Sequence, residues 1–93
     1  MIRSFGDKNA EQIWQGRYVR GVDRILQRSV LRKLELLDAA MVVDDLRIPP
    51  GNRLERLVGD RRGQHSIRVN GQWRICFTWR QGGADNVELV DYH

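Results

Sequence analysis

The stretch from residue 64 to residue 79, QHSIRVNGQWRICFTW, decides the fold, because it predicts two strands joined by a short turn. In the second strand, Trp73–Trp79, large apolar residues alternate with smaller or polar ones. This period of two is typical of a strand that buries one face and turns the other outward. The first strand, Gln64–Val69, alternates in the same way, so we expect both strands to share one core.

The turn between these strands, Asn70–Gln72, sets their register. A slip of one residue would turn one of the two apolar sets to solvent, and only a turn with an odd number of residues avoids this. The resulting register places Ile67 opposite Ile75 on the core side. It also places Arg68 directly opposite Arg74 on the outer face, where two like charges destabilise the pairing.

The residues before this hairpin predict a helical half. Ile2–Phe5 is expected to form a short strand, and Asp7–Gln15 a helix capped by Asp7. Between Asp23 and Ala40 apolar residues recur every three or four positions, which predicts a longer amphipathic helix. We expect the charged face of this helix to be solvated rather than to bind nucleic acid. That face carries Arg24, Arg28, Arg32, Lys33 and Glu35.

The second half of the chain predicts an antiparallel meander. Pro49 and Pro50 end the helical half, since proline cannot continue a helix. The strands predicted after them are Arg53–Val58, Gln64–Val69, Trp73–Trp79 and Asn86–Tyr92. We therefore predict a single α+β domain over residues 1–93. Its two helices cover one face of a twisted, mainly antiparallel sheet and leave the other face open.

The positive charge is concentrated in the second half of the chain. The 93 residues carry a net charge of +4, and residues 47–80 contain eight arginines against two acids. Guanidinium groups bind phosphate oxygens through paired hydrogen bonds, so this excess favours a polyphosphate partner such as nucleic acid. Arginines scattered over a solvated surface are the ordinary alternative. Clustering on one face of the protein would distinguish the two.

The cysteine and histidine content limits the possible chemistry. A single cysteine, Cys76, excludes an internal disulfide and a zinc site built on paired thiols, and we expect it to be a small buried hydrophobe. The two histidines, His65 and His93, are a poor ligand set, so no metal or other cofactor is expected. The register places His65 opposite Phe77, where we expect a hydrogen-bonded core or rim histidine.

The hydropathy pattern shows no membrane segment. No apolar run is long enough to cross a bilayer, and the first residues lack the apolar core of a signal peptide. We expect a soluble, cytoplasmic protein that has no membrane partner.

The end of the chain brings further chemical groups to the predicted outer face. Alternation along the last strand turns Val87 and Leu89 toward the core and Tyr92 outward, near Arg74. The side chains expected around these two are Arg68, Arg61, Arg62, Asp91 and His93. Guanidinium groups beside a phenol and an imidazole suit an anion and can move protons.

Taken in order, these residues resemble the HigB branch of the RelE/ParE superfamily, the toxins of bacterial toxin–antitoxin pairs. The segments that carry the resemblance are Met1–Phe5, Arg53–Gly63, Ser66–Val69, Trp73–Phe77 and Asp91–His93. The resemblance implies a microbial ribonuclease-like fold and ribosome-dependent cleavage of messenger RNA. It also implies neutralisation by a helix-turn-helix, HigA-like antitoxin that represses the shared operon, so that DNA is contacted only through the toxin–antitoxin complex.

The family resemblance also implies roles for individual residues. The arginine that matches Arg74 and the terminal residues that match Asp91, Tyr92 and His93 are implicated in cleavage. Members can carry histidine or lysine in the strand before the glycine turn, where this chain has Glu55–Val58. A basic helper is thus missing. Arg56 or Arg61 could replace it in binding phosphate but not in exchanging protons, because guanidinium stays charged.

RNA cleavage without a metal needs a base for the 2′-hydroxyl, a cation for the phosphorane and an acid for the leaving 5′-oxygen. We assign charge stabilisation to Arg74 with support from Arg68, and proton transfer to His93 helped by Tyr92. Asp91 orients one of these two. Which group is the base and which the acid stays open. Tyrosine titrates near pH 10, so it needs neighbouring arginines to lower its pKa, or it serves only to stack on a nucleobase.

Two other functions remain open. The first is a non-catalytic toxin of the ParE type, which would act by binding a protein such as DNA gyrase. The second is an RNA-binding adaptor that uses only the arginine face.

Overall fold

The computed structural model describes residues 1–92, and in this part of the chain two α-helices pack on one four-stranded antiparallel sheet. The helices are α1 (Lys8–Trp14) and α2 (Arg24–Ala39). The strands, adjacent in chain order, are β1 (Glu55–Arg56), β2 (Gln64–Arg68), β3 (Trp73–Arg80) and β4 (Gly83–Asp91). Short 3-10 turns occur at Val43–Arg47, Pro50–Asn52 and Gly59–Arg61. The predicted α+β layer is confirmed.

Aspartate side chains start both helices. The Asp7 carboxylate accepts a hydrogen bond from the Ala10 amide at 2.7 Å, which confirms the predicted cap, and Asp23 accepts from the Leu26 amide at 2.8 Å. The second Asp7 oxygen accepts from the Leu89 amide of β4, also at 2.7 Å. The start of α1 is therefore fastened to the last strand.

The hairpin register is confirmed in detail. Ile67 pairs with Ile75, and Arg68 pairs with Arg74. The apolar side of the hairpin packs under α2, so that one hydrophobic cluster joins the helices to the sheet. The completely buried members from α2 and these two strands are Val30, Leu34, Leu37, Ile67, Ile75 and Phe77.

The first residues of the chain lie beside β4. The predicted strand Ile2–Phe5 is reduced to two isolated parallel bridges, one from Ile2 to Ala84 and one from Phe5 to Val87. Helix α1 begins soon afterwards, at Lys8, which leaves no room for a longer ladder. The N-terminal segment thus covers the free edge of β4.

β4 begins three residues earlier than the sequence predicts. Gln81 and Gly82 both have positive φ, 50° and 74°, and form a two-residue turn of the kind that suits the twist of a hairpin. Farther along β4 the register shifts where Asn86, with φ of 58°, adds one residue. This bulge is why Ala84 and Val87, three residues apart, both lie in the core.

β1 is shorter than predicted. Only Glu55 and Arg56 of the expected strand Arg53–Val58 pair with β2. Arg53 has φ of 45°, in the left-handed region, and this interrupts the extended backbone directly after the turn at Pro50–Asn52.

The face of the sheet away from the helices is not open, which corrects the prediction. Ser66 and Cys76 are completely buried there, and Arg74 is only 8% exposed. The alternation of side chains was right, but the residues that cover this face come from outside the strands. Arg53, Arg61 and Tyr92 close over it, as described below.

Within residues 1–92, no helix is long and apolar enough to cross a membrane.

Candidate active site

Arg74 is the centre of the covered face. From β3 its Nε donates to the Ser66 hydroxyl at 2.8 Å, and its Nη2 donates to the Arg53 carbonyl at 2.6 Å and the Ser66 carbonyl at 3.4 Å. Two of the three guanidinium nitrogens are therefore fixed to the backbone and side chains of the fold. A buried guanidinium held in this way loses little freedom when it binds an anion.

The third nitrogen of Arg74, Nη1, faces the carboxylate of Glu55, which a bound anion can replace. Its Nη1 lies 3.7 Å from a carboxylate oxygen of Glu55, which is too far for a hydrogen bond. The Glu55 side chain is 55% exposed, and ion pairs with such exposed groups contribute little stability. In the described part of the chain this nitrogen has no closer acceptor, so a phosphate oxygen from solution can take that position.

Tyr92 lies against Arg74, as the register predicts. Its ring centroid is 5.8 Å from the Arg74 Cζ, which is within the range of a cation–π contact. Its backbone amide donates to the Gln72 carbonyl at 2.6 Å, and its hydroxyl lies 4.0 Å from the Cys76 sulfur. The side chain remains 39% exposed, so the phenol is held in place and is also accessible.

The phenol of Tyr92 keeps its proton near neutral pH. Burial is the largest influence on its pKa and raises it, and Cys76 raises it further, whereas Arg74 and Arg61 lower it. The net pKa lies above the ordinary value of tyrosine. The two arginines are thus present, as the sequence analysis required, but they do not outweigh desolvation. Tyr92 is suited to donate a proton rather than to accept one.

Arg61 crosses the same face from the other side. It leaves the turn between β1 and β2, and its Nη1 donates to Glu88 of β4 at 2.7 Å and to Gln64 at 3.0 Å. The hydrogen bond to Glu88 is the main cause that raises the pKa of Arg61. Among the described residues, its Nη2 and Nε make no hydrogen bond and remain available to an anion.

Glu88 is a site residue that the sequence analysis missed. It pairs with Cys76 across the β3–β4 ladder and faces the same side as Tyr92, four residues later in the chain. The sequence already implied this placement, because residues an even number of positions apart in an extended chain face the same side. Gly6 makes the arrangement possible, since a Cβ at this position would lie 2.6 Å from the Glu88 Cγ.

The other predicted site residues divide into two groups. Arg68 lies opposite Arg74 on the site face and is half-buried, and Arg62 is exposed beside Arg61. Arg56 instead pairs with His65, which in turn pairs with Phe77 of the core. Since partners in a ladder share one face, Arg56 lies on the other side of the sheet from Arg74 and does not join the site.

The terminal residues are only partly described. Asp91 pairs with Trp73 at the end of β4 and accepts a hydrogen bond from the Gln72 side chain at 3.2 Å. His93 lies outside the described residues, so its predicted convergence with Arg74 stays a prediction. Of the catalytic residues expected from the sequence, Arg74 and Tyr92 come together.

His65 differs from its prediction. It stacks on Phe77 with ring centroids 6.1 Å apart, but within residues 1–92 its buried Nδ1 has no hydrogen-bond partner. Burial is the main cause that lowers its pKa, followed by the positive charge of Arg56. The ring is therefore a packed, neutral side chain. Cys76, by contrast, is buried as predicted, and burial raises the pKa of its thiol.

The described residues show no candidate metal site. In this part of the chain no group of three or more histidine, cysteine, aspartate or glutamate side chains gathers as metal ligands do.

Comparison with known proteins gives consistent results. Residues 3–93 match the family model described as the RelE-like toxin of type II toxin–antitoxin system HigB. The chain is 46% identical over 90 residues to Toxin HigB-1 of Vibrio cholerae serotype O1 (strain ATCC 39315 / El Tor Inaba N16961), covering 96% of this chain and 95% of that protein. It is 32% identical to Endoribonuclease HigB of Proteus vulgaris, over the whole of both chains.

The solved structures support the same fold. The toxin–antitoxin complex YoeB–YefM from Staphylococcus aureus contains a chain that superposes with a TM-score of 0.64 at 15% identity, covering 100% of this chain and 98% of the other. At this identity the similarity concerns the fold alone. Together with the family match, which covers nearly the whole sequence, it leads to one conclusion. The chain belongs to the HigB family of RelE-like toxins from type II toxin–antitoxin systems.

Proposed function

We propose that this toxin is an endoribonuclease that cuts messenger RNA on the ribosome without a metal ion. In the proposed reaction the 2′-hydroxyl attacks the adjacent phosphate and the 5′-oxygen leaves. The observation that carries the proposal is the placement of Arg74 against the ring of Tyr92, with Arg61 bound to Glu88 on the same face of the sheet. The name of the Proteus vulgaris relative points to the same reaction class.

The geometry supports a distinct role for each group. Arg74 binds a phosphate oxygen through Nη1 and stabilises the charge that builds up in the phosphorane, with Arg68 beside it. Tyr92, with a raised pKa, donates a proton to the leaving oxygen. Base catalysis by His93, oriented by Asp91, completes the proposal and rests on the sequence resemblance.

The partners follow from the family and from the proposed substrate. A type II toxin has an antitoxin partner, and the structural relatives are toxin–antitoxin complexes. We infer that the antitoxin here is a helix-turn-helix protein, that the toxin works in the cytoplasm on ribosomes, and that it meets DNA only through the antitoxin complex.

Tyr92→Phe tests the proposal most directly. This change removes the hydroxyl and keeps the ring over Arg74, so the fold should be unaffected. Loss of a general acid costs about 10²–10⁴-fold in rate. We expect message cleavage to fall by that factor when purified toxin is added to translating ribosomes and the 5′ ends of the message are mapped.

Tyr18→Phe is the matched control. Tyr18 is 60% exposed and also lies against an arginine, with its ring 6.0 Å from the Arg24 Cζ, an arginine that is not part of the site. Cleavage by this variant should equal that of the wild type. Growth inhibition by the wild type with uncut message would instead support a ParE-like, binding-only toxin.

A further inference from the structure

We propose that Lys33 and Arg68, with Arg32 beside them, form a second binding site for a phosphate group of the RNA chain. This flanking phosphate site lies next to Arg74 and rests on the proposed function, because it would hold the strand that Arg74 helps to cut. It also revises the expectation that the charged face of α2 is only solvated.

The half-buried side chain of Lys33 in α2 is held by the turn Pro50–Asn52. Its Nζ donates to the Asn52 side-chain oxygen at 2.7 Å. Asn52 is completely buried, and its amide nitrogen donates to the carbonyls of Leu46 at 3.1 Å and Ile48 at 3.3 Å. The ammonium group of Lys33 donates one of its three N–H groups to this fixed oxygen, and in residues 1–92 it makes no other hydrogen bond. Two donors therefore remain for a ligand.

The chain connects Lys33 directly to the reaction site. Asn52, which anchors Lys33, is followed by Arg53, whose carbonyl accepts the hydrogen bond from Arg74 Nη2. The turn that contains Asn52 packs against β2, the strand of Arg68. Arg68 in turn pairs with Arg74 across the ladder. Two consecutive residues, Asn52 and Arg53, thus accept hydrogen bonds from a lysine of α2 and from the central arginine of the site.

The flanking site is an uncompensated group of cations. Arg32 precedes Lys33 in α2, and Arg68 belongs to the strand against which the turn of Asn52 packs. Burial is the largest cause that lowers the pKa of Lys33, and the positive charges of Arg32 and Arg68 lower it further. No ion pair in the described part of the chain joins any of them to an acid.

Five other arginines of the described residues have acidic partners. Arg61 has Glu88, and Arg80 has Asp85. Like charges held together without a counter-charge repel one another, and a polyanion relieves that repulsion. Contacts with backbone phosphates position a nucleic acid rather than read its bases. The flanking site should therefore contribute affinity and register but no sequence preference.

Arg32→Gln and Lys33→Gln test this site. The probe is a fluorescein-labelled single-stranded RNA with 2′-O-methyl riboses, which cannot be cut, titrated at several salt concentrations. Each phosphate contact with a single strand contributes about 0.7 to the slope of log K against log salt. We expect each variant to lower the slope by about that amount. With cuttable message the KM should rise while kcat stays unchanged.

Arg24→Gln is the matched control, since it removes the same charge from another exposed position of the same helix. Eight residues separate it from Arg32, or about 12 Å along the axis, which exceeds the screening length of about 10 Å at 0.1 M salt. Its slope should equal that of the wild type. Lys33→Arg, which keeps the charge, should restore the slope that Lys33→Gln loses.

The outcomes separate the flanking site from the proposed function. Slopes of Arg32→Gln and Lys33→Gln equal to that of Arg24→Gln would overturn the site, even if the wild type cuts message. Lowered slopes together with a wild-type protein that does not cut message would overturn the proposed nuclease activity but support the flanking phosphate site. A slope change with the free RNA supports the site, because no ribosomal RNA is present in that titration. An effect of the two variants that appears only with ribosomes would overturn it, because the phosphate would then belong to ribosomal RNA rather than to the message.

Discussion

Single residues in this protein show how environment sets chemical role. Tyr92 and His65 both lie on the sheet, and burial shifts both pKa values toward the neutral form, upward for the phenol and downward for the imidazole. Tyr92 remains accessible and lies beside the guanidinium group of Arg74, so its proton can be used. His65 is packed on Phe77 and serves the core.

His65 should make the stability of the protein depend on pH. Because its pKa is lowered in the folded state, the unfolded chain binds more protons as pH falls. The stability that His65 contributes is complete above about pH 6.5 and decreases as pH falls below that value toward the lowered pKa. Urea unfolding at several pH values should show this decrease in the wild type and a smaller one in His65→Leu. Equal pH profiles for the two proteins would contradict the assignment.

At the scale of elements, the edges of the sheet decide where the site can form. The bulge in β4 adjusts the register so that Val87 lies in the core while Glu88 faces the site. The N-terminal segment then closes the edge of β4 with Gly6 directly beside Glu88. The Glu88–Arg61 pair therefore depends on an element far away in the sequence.

Gly6→Ala should disturb this edge. The new Cβ would lie 2.6 Å from the Glu88 side chain and 3.2 Å from the Asn86 carbonyl, so the segment or Glu88 has to move. Overpacking of this kind costs about 1–3 kcal/mol. We expect that loss in urea unfolding, together with slower message cleavage, because Arg61 loses its fixed partner.

The control for Gly6→Ala is Gly51→Ala. A Cβ at residue 51 meets no atom within 4 Å, and the backbone there does not have positive φ. Its stability should stay within about 0.5 kcal/mol of the wild type or rise slightly. A loss of similar size in both variants would show that contact with Glu88 is not the cause.

At the scale of the whole molecule, one hydrophobic cluster supports everything else. Leu34 of α2 is completely buried between the helix and the sheet, so Leu34→Ala should cost about 2–5 kcal/mol. That is a large part of the roughly 5–15 kcal/mol that stabilises a domain. Urea unfolding should show this loss, and growth inhibition should fall because folded toxin is depleted. Ile25→Ala, on the same helix but 79% exposed, should change stability by less than about 0.5 kcal/mol.

The sequence was a good guide to the fold where periodicity governs it. The hairpin register, the helices and the approach of Tyr92 to Arg74 all follow from alternation and turn length. Alternation also places Arg56 on the opposite face from Arg74, and Glu88 on the same face as Arg74. Both placements could have been predicted from the register of β1 and the parity of the strands. What alternation could not supply was the cover over Arg74, because it comes from Arg53 in a left-handed conformation and from a long arginine crossing the sheet.

The attachment of the first residues to the last strand has a consequence for biosynthesis. Ile2 and Phe5 pair with Ala84 and Val87, and Asp7 bonds to the Leu89 amide, so these contacts span about 82 positions of the chain. A nascent toxin cannot complete them until residues 83–89 have left the ribosomal exit tunnel. The toxin therefore cannot reach its folded structure until residues 83–89 have been synthesised and have emerged.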